Sequence, residues 1–418
     1  MVDLSEKIKL AYGNKKYGEV VQLFEVEKDI DHSLNYYWSL FYYFQSLTNL
    51  SNFKYSTNDM ISLLSREEYL QLDENIQDAL KSVIMRYISK LTLRRFNVQL
   101  LEDQINLLRD LYLDHKDFNK FLYDVLKFIK PREDIIFNEK ITSILLENEK
   151  LFSLEPNVYN ENTYQSNKEL YYRTIVRFLT SLERYQDAIN YSNKALDEIK
   201  NFHHNNHLHL KLDQADAHFL LNEKDESFKI YDEVLLLLKE WWLYAKYAEK
   251  LFLNEEYDKA LINYIKSILS FGKDDAKVNA YYNLGLLLER YDTIELADSA
   301  FKIAFIERAK KMYPINRDLK YKYKEEADGN IRNFKNEILK LMYEKETTYT
   351  GVISNILKSG RDGFIKYNND SIYFRINDFI GNRRDVKNGF EVQFIIEKTN
   401  RGNRAFIISK KDDNHDKI

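Results

Sequence analysis

The stretch YYNLGLLLERYDTIELADSAFKIAFIER, residues 281–308, decides the fold. Tyr281, Leu284, Gly285, Leu288, Ala297, Phe301 and Ala304 occupy, in order, the signature positions of a 34-residue helix-turn-helix unit. Small residues stand where two helices cross closely, and aromatic rings fill the adjoining gaps. A second copy reads Tyr244, Tyr247, Ala248, Leu251, Tyr257, Ala260, Tyr264, Ser267, and a third reads Tyr172, Ile175, Leu179, Tyr185, Ala188, Ala195, Leu196. A degenerate unit around Ala215, Ser227, Tyr231 and Val234 lies between them. The equivalent small residues Ala188, Ser227, Ala260 and Ala297 are 39, 33 and 37 residues apart, so the repeat carries loop insertions.

This spacing resembles the tetratricopeptide repeat, which implies a stack of helix pairs able to hold a protein or peptide partner. Upstream, Tyr17, Val20 and Phe24 resemble the second half of another unit. The amphipathic runs 36–48, 73–94, 97–113 and 118–129 keep helical spacing without the small-residue signature. Pro131, Pro156 and Pro314 read as helix stops, the Asn-rich 157–167 segment as a loop, and the charged run 317–345 as a helix capping the stack. No glycine occurs between Gly18 and Gly272, as expected of a nearly all-helical stretch.

Six of the eleven glycines fall instead in the last 68 residues: Gly351, Gly360, Gly363, Gly381, Gly389 and Gly402. Charge changes at the same place, from net −7 over residues 1–345 to net +5 over 346–411. The expected organisation is therefore a mainly α protein: a tetratricopeptide-like α-solenoid over 1–345, a small five-stranded all-β barrel of the oligonucleotide-binding type over 346–411, and a disordered tail over 412–418. The five strands are expected at 348–357, 361–368, 371–376, 390–398 and 403–410. Their alternation sends Ile365, Ile372, Phe374 and Ile376 to one side and Phe364, Lys366, Tyr373 and Arg375 to the other. Rings and cations on one sheet face can stack bases and neutralise phosphates.

The run from Thr350 to Phe379, continued by NGFEVQFIIEKTNRGNRAFII, is similar to the bacterial cold-shock domain over about 65 residues. Gly351 with Ile353, then Gly363-Phe364-Ile365, Ile372-Tyr373-Phe374-Arg375, Gly389 with Val392 and Phe394, and Gly402 with Ala405 follow the order of that family's motifs. The resemblance implies binding of single-stranded RNA or DNA, with Phe364 and Tyr373 stacking bases and Lys366, Arg375 and Arg404 meeting phosphates. Asn355 and Asp362 stand where the family places aromatic rings, Gly360 where it places Lys, and Arg375 where it places His. Affinity should accordingly fall below that of a full platform, by roughly 1–3 kcal/mol per missing stack. The competing expectation is that the helices pack over this sheet face and make Phe364 and Tyr373 interface core. Arg361, Arg383, Arg384, Lys387, Arg401 and Arg404 are further cations at the turns.

Other chemistry is scarce in the chain of 418 residues. There is no cysteine, so disulfides, thiol nucleophiles and Cys-ligated metals are excluded. His203, His204, His207 and His209 cluster without a metal-binding spacing or neighbouring carboxylates, and Trp241 and Trp242 read as repeat core. No phosphate-binding loop, nucleophile elbow, kinase signature or carboxylate pair is present, so neither enzyme activity nor a cofactor or metal is expected. With 62 basic and 66 acidic residues, net charge selects no partner. No apolar run suits a secretory signal or a membrane span, and a cytoplasmic protein is expected. The cold-shock resemblance, together with Lys, Asn, Ile and Tyr usage typical of an AT-rich genome, suggests a bacterial source. The expected function is a scaffold or adaptor: a protein or peptide partner on the solenoid and single-stranded RNA or DNA on the barrel, in RNA regulation, stress or phage defence. The alternative is a peptide-sensing regulator whose barrel is an interaction lid without nucleic-acid binding.

Overall fold

A computed structural model describes residues 4–27, 34–112, 116–159, 161–312, 314 and 330–411. The 412–418 tail and the 317–329 part of the expected capping helix lie outside them. Eighteen helices are present among the described residues. The first nine are α1 (Leu4–Gly13), α2 (Tyr17–Glu27), α3 (Leu34–Asn49), α4 (Thr57–Leu64), α5 (Glu67–Leu70), α6 (Glu74–Arg94), α7 (Val98–Tyr112), α8 (Lys116–Phe128) and α9 (Ile135–Glu147). They are followed by α10 (Asn167–Ser181), α11 (Tyr185–Glu198), α12 (Asn206–Leu220), α13 (Lys224–Leu237), α14 (Trp241–Leu253), α15 (Tyr257–Leu269), α16 (Val278–Arg290), α17 (Ile294–Lys310) and α18 (Ile331–Lys345). None of these helices is long and apolar enough to cross a membrane.

The repeat is written in the backbone as well as in the side chains. Lys15, Glu183, Asn222, Glu255 and Asp292 all have positive φ, between 56° and 64°, and each lies two residues before the helix that follows. After four of these residues the next amide closes a six-residue loop onto the preceding helix: Lys16 to the Ala11 carbonyl, Arg184 to Leu179, Glu256 to Leu251 and Thr293 to Leu288. That is the left-handed C-terminal cap, normally a glycine position, here filled by Lys, Glu, Asn and Asp. Five residues beyond each of these stands a fully buried residue: Val20, Ala188, Ser227, Ala260 or Ala297. The positive-φ residue and the buried one therefore keep the same spacing at all five positions. At the α16–α17 crossing, a Cβ on Gly285 would lie 2.6 Å from the Phe301 ring, so glycine is required there.

The chain forms two compact units, Met1–Asn222 and Glu223–Ile418. This division falls inside the degenerate repeat, not at the helix-to-strand change near 346, because the last helices share a unit with the barrel. In the first unit, residues 157–167, expected as a loop, form a hairpin of β1 (Pro156–Tyr159) and β2 (Asn162–Ser166) turning at Glu161. His203 and His204 contact ring to ring at 4.0 Å and His207 packs near Phe202. Among the described residues no three histidines or carboxylates converge.

In the second unit, β3 (Thr348–Ile356), β4 (Asp362–Tyr367), β5 (Asp370–Arg375), β6 (Glu391–Thr399) and β7 (Gly402–Lys410) close a barrel in the order β3-β4-β5-β7-β6. Ile353, Ile365, Ile372, Phe374, Val392, Phe394, Ala405 and Ile408 fill its interior. On β5 and β6 they fall at alternate positions, as the period of two requires, while on β7 Ala405 and Ile408 stand three residues apart.

Candidate nucleic-acid interface

On β4 and β5 the outward residues pair across the strands: Asp362 with Arg375, Phe364 with Tyr373, and Lys366 with Ser371. The Phe364 and Tyr373 rings meet edge to face at 6.0 Å and both are half-buried, while Lys366 and Arg375 are exposed. This face is open to solvent. The Tyr373 hydroxyl donates to Asp362 Oδ1 at 2.8 Å, and burial with this bond raises the phenol above its ordinary value. Asp362, the residue occupying an expected ring position, thus holds Tyr373 in place. Exposed Asn355 sits beside Phe364 on β3, where the register shifts by a bulge.

Arg404 is placed differently from the other four site residues. It is buried, with only 6% exposed, and its guanidinium lies 3.3 Å from an Asp378 carboxylate oxygen and over the Phe406 ring. The expectation that it meets a phosphate on the open face is corrected by this burial. Arg404 opposes Tyr373 across β5–β7 and Glu397 across β6–β7, so it marks the edge where the open sheet becomes a covered one.

Beyond that edge the outward residues Ile395, Glu397, Arg404 and Phe406 are all buried, and none belongs to the barrel's own core. Helices of the same unit cover them. Glu397 accepts from Lys239 Nζ at 3.0 Å, Lys266 Nζ at 2.9 Å and the Tyr244 hydroxyl at 2.7 Å. Burial raises its carboxyl, but the attraction of Lys266 and Lys239 and the bonds from Lys266 and Tyr244 outweigh it and bring the pKa to about 2. Asp378 shows the opposite balance: burial outweighs Arg404 and Arg375 and raises it to about 6. Its contact with Arg404 is long, and one carboxylate oxygen has no hydrogen bond.

A second anchor sits at a bulge. Between Gln393 and Ile395 the β6–β7 register shifts, and Ile407 takes φ 48°, a conformation that a β-branched residue rarely adopts. The Tyr343 hydroxyl of α18 reaches this bulge, donating toward the Ile407 carbonyl at 2.8 Å and lying near the Gln393 carbonyl and Ser409 Oγ. Tyr244 packs against Phe406 with ring centroids 5.8 Å apart, and the Asn400 amide donates to the Leu236 carbonyl. The continuous apolar runs Phe394-Ile395-Ile396 and Ala405-Phe406-Ile407-Ile408 carried the signal for this face, since a strand covered on both sides loses its alternation.

Between α13, α14, α15 and β6 lies a groove of about 840 Å³, lined by Lys239, Tyr244, Lys259, Asn263, Lys266 and Glu397 among others. One wall therefore belongs to the barrel. Fold and sites together define a helical-repeat protein with a closed five-stranded barrel built onto its last repeats. No protein-family model matches the chain, and no curated protein is similar to it.

Proposed function

We propose that the protein is an intracellular adaptor of tetratricopeptide type whose cold-shock-like barrel binds single-stranded RNA or DNA through Phe364, Tyr373, Lys366 and Arg375. One observation carries this reading: the paired rings and their flanking cations lie on the open β4–β5 face, while the helices of the same unit take β6 and β7. Stacked rings recognise any unpaired base, and two cations supply a sequence-tolerant phosphate contact. The helix pairs are free for a protein or peptide partner.

Titration of a labelled single strand against the full chain tests this. Binding should exceed that of the matching duplex and fall with salt. Phe364→Ala and Tyr373→Ala should each weaken it by about 1–3 kcal/mol without altering the salt slope, whereas Arg375→Ala should lower that slope by about one. Equal retention of strand and duplex by parent and variants would refute it. A second reading, the barrel as an interaction lid over a peptide groove, draws support from Glu397 closing one wall of the groove beside α13–α15. A peptide captured only when Glu397 remains docked, with no strand retained at low salt, would favour it.

A further inference from the structure

Phe271, in the loop between α15 and α16, is 56% exposed, and the Arg383 guanidinium lies over its ring at 4.7 Å from the centroid. A single exposed ring needs no explanation, but the way this one is held does. The loop that presents it is fixed from three sides. Lys277, fully buried, donates from Nζ to the Ile268 carbonyl at 2.9 Å and also to the Ser270 carbonyl. Ser270 Oγ donates back to the Lys266 carbonyl at 2.6 Å. Gly272, at φ +150°, lies so close to Trp241 that a Cβ would stand 2.7 Å from its ring. A rigid support thus ends in an aromatic side chain left in solvent.

The surroundings of that ring favour an anion. Lys273, two residues after Phe271, and Arg384 and Lys387, beside Arg383 in sequence, are all exposed. The two acids of the same loop are already engaged, Asp274 by Lys335 and Tyr281, and Asp275 by Lys311. Arg383 comes from the loop that leaves the Arg375 end of β5, eight residues on, a connection that can span at most roughly 28 Å. The ring therefore belongs to the helices while the cation above it belongs to the barrel.

We propose that Phe271 and Arg383 form a second stacking station for single-stranded nucleic acid, standing in for the rings that Asn355 and Asp362 replace on the barrel face. Unpaired bases stack on aromatic rings and on guanidinium planes alike, and this pair offers both. The inference rests on the nucleic-acid reading of the barrel, which supplies the first station, Phe364 with Tyr373. A strand long enough to leave the first station would reach the second.

The full chain is titrated with labelled single strands of mixed sequence, about 4 and about 16 nucleotides long, the range one such barrel covers. Phe271→Leu, which keeps apolar bulk and removes the ring, should weaken the longer strand at least about fivefold and leave the shorter within about twofold. Phe271→Trp should retain or tighten the longer strand. Arg383→Gln should weaken it and flatten its salt dependence. Unchanged binding of the longer strand by Phe271→Leu, while Phe364→Ala loses it, would overturn the second station and leave the barrel reading intact. Failure of the parent to bind either strand would remove the barrel reading and this inference with it. Equal weakening at both lengths together with a lowered melting temperature would also overturn it, since Phe271 would then be structural.

Discussion

The two outward faces of the barrel use the same strand chemistry for opposite ends. On β4–β5, alternate residues present Phe364, Lys366, Tyr373 and Arg375 to solvent, while on β6–β7 the equivalent alternate residues Ile395, Glu397, Arg404 and Phe406 are buried under helices. Both sets mix rings or aliphatics with charge, so composition alone does not separate them. Partners do: each buried charge has an opposite charge from elsewhere in the chain, and Lys366 on the open face does not need one. A barrel can therefore be docked through one half of its sheet and keep the other half free, provided the docked half finds counter-charges for every polar group it carries.

The largest way to break the contrast is at Glu397. Glu397→Ala leaves Lys239 and Lys266 buried without their shared countercharge and should cost about 3–5 kcal/mol in denaturant unfolding of the full chain. Replacing the set together, Lys239→Met, Lys266→Met and Glu397→Leu, should recover most of that loss, because an apolar core of similar volume needs no pairing. A neutral Glu397→Ala would mean that the barrel is not held by this face.

Acid should loosen the same contact, with a sign that distinguishes the two buried carboxylates. Glu397 titrates at about 2 when folded, below its ordinary value, so its contribution is complete above about pH 4.5 and is lost as pH falls toward 2. Asp378 titrates at about 6, above its ordinary value, so its neutral form is the favoured one. Its contribution is present below about pH 4 and is lost as pH rises through 6. Stability against pH should lose its acid-side slope in Glu397→Gln and its slope between about pH 4 and 6 in Asp378→Asn; exchange of these two behaviours would reverse the assignment.

At the bulge, Tyr343→Phe removes the donor that serves the Ile407 carbonyl and should cost about 1–3 kcal/mol, with the open face and its ligand binding unaffected. Retention of full stability would show that the bulge carbonyls find water instead.

Much of the barrel and of the repeat is legible in the sequence. The inward residues of β4 and β5 follow from strict alternation, and all five strands begin and end within a residue of the expected ones. Repeat spacing likewise picks out Ala188, Ser227, Ala260 and Ala297, all of them fully buried. The hairpin at 156–166 was hidden because two strands of four and five residues carry too short a pattern. The turns between helices are hidden for a different reason: their left-handed positions are Lys15, Glu183, Asn222, Glu255 and Asp292, and glycine, the usual sign, is absent. Arg404 and Glu397 were unreadable as buried, since each looks like a solvent-facing residue until the distant Asp378, Lys239 and Lys266 are brought to it. Compact units also depend on such distant contacts, which is why the division falls at Asn222 and not where secondary structure changes.

The smallest effect sharpens the open face itself. Asp362 accepts from the Tyr373 hydroxyl and opposes Arg375 across the strands, so it contributes both a bond and a negative charge beside the two rings. Asp362→Asn keeps an acceptor for the hydroxyl and removes only the charge, and stability should change by about 0.5 kcal/mol or less, as for an exposed pair. The charge, however, lies where a phosphate would pass. Its removal should tighten single-strand binding by roughly two- to fivefold and steepen the salt dependence, because Arg375 would then neutralise phosphate in place of Asp362. Asp362→Ala should separate the two roles. It also removes the charge but frees Tyr373, so any gain should be smaller than in Asp362→Asn and the Tyr373 ring more mobile. Weaker binding in both variants would mean that the carboxylate itself touches the ligand, and that the open face reads a hydrogen-bond donor on the base.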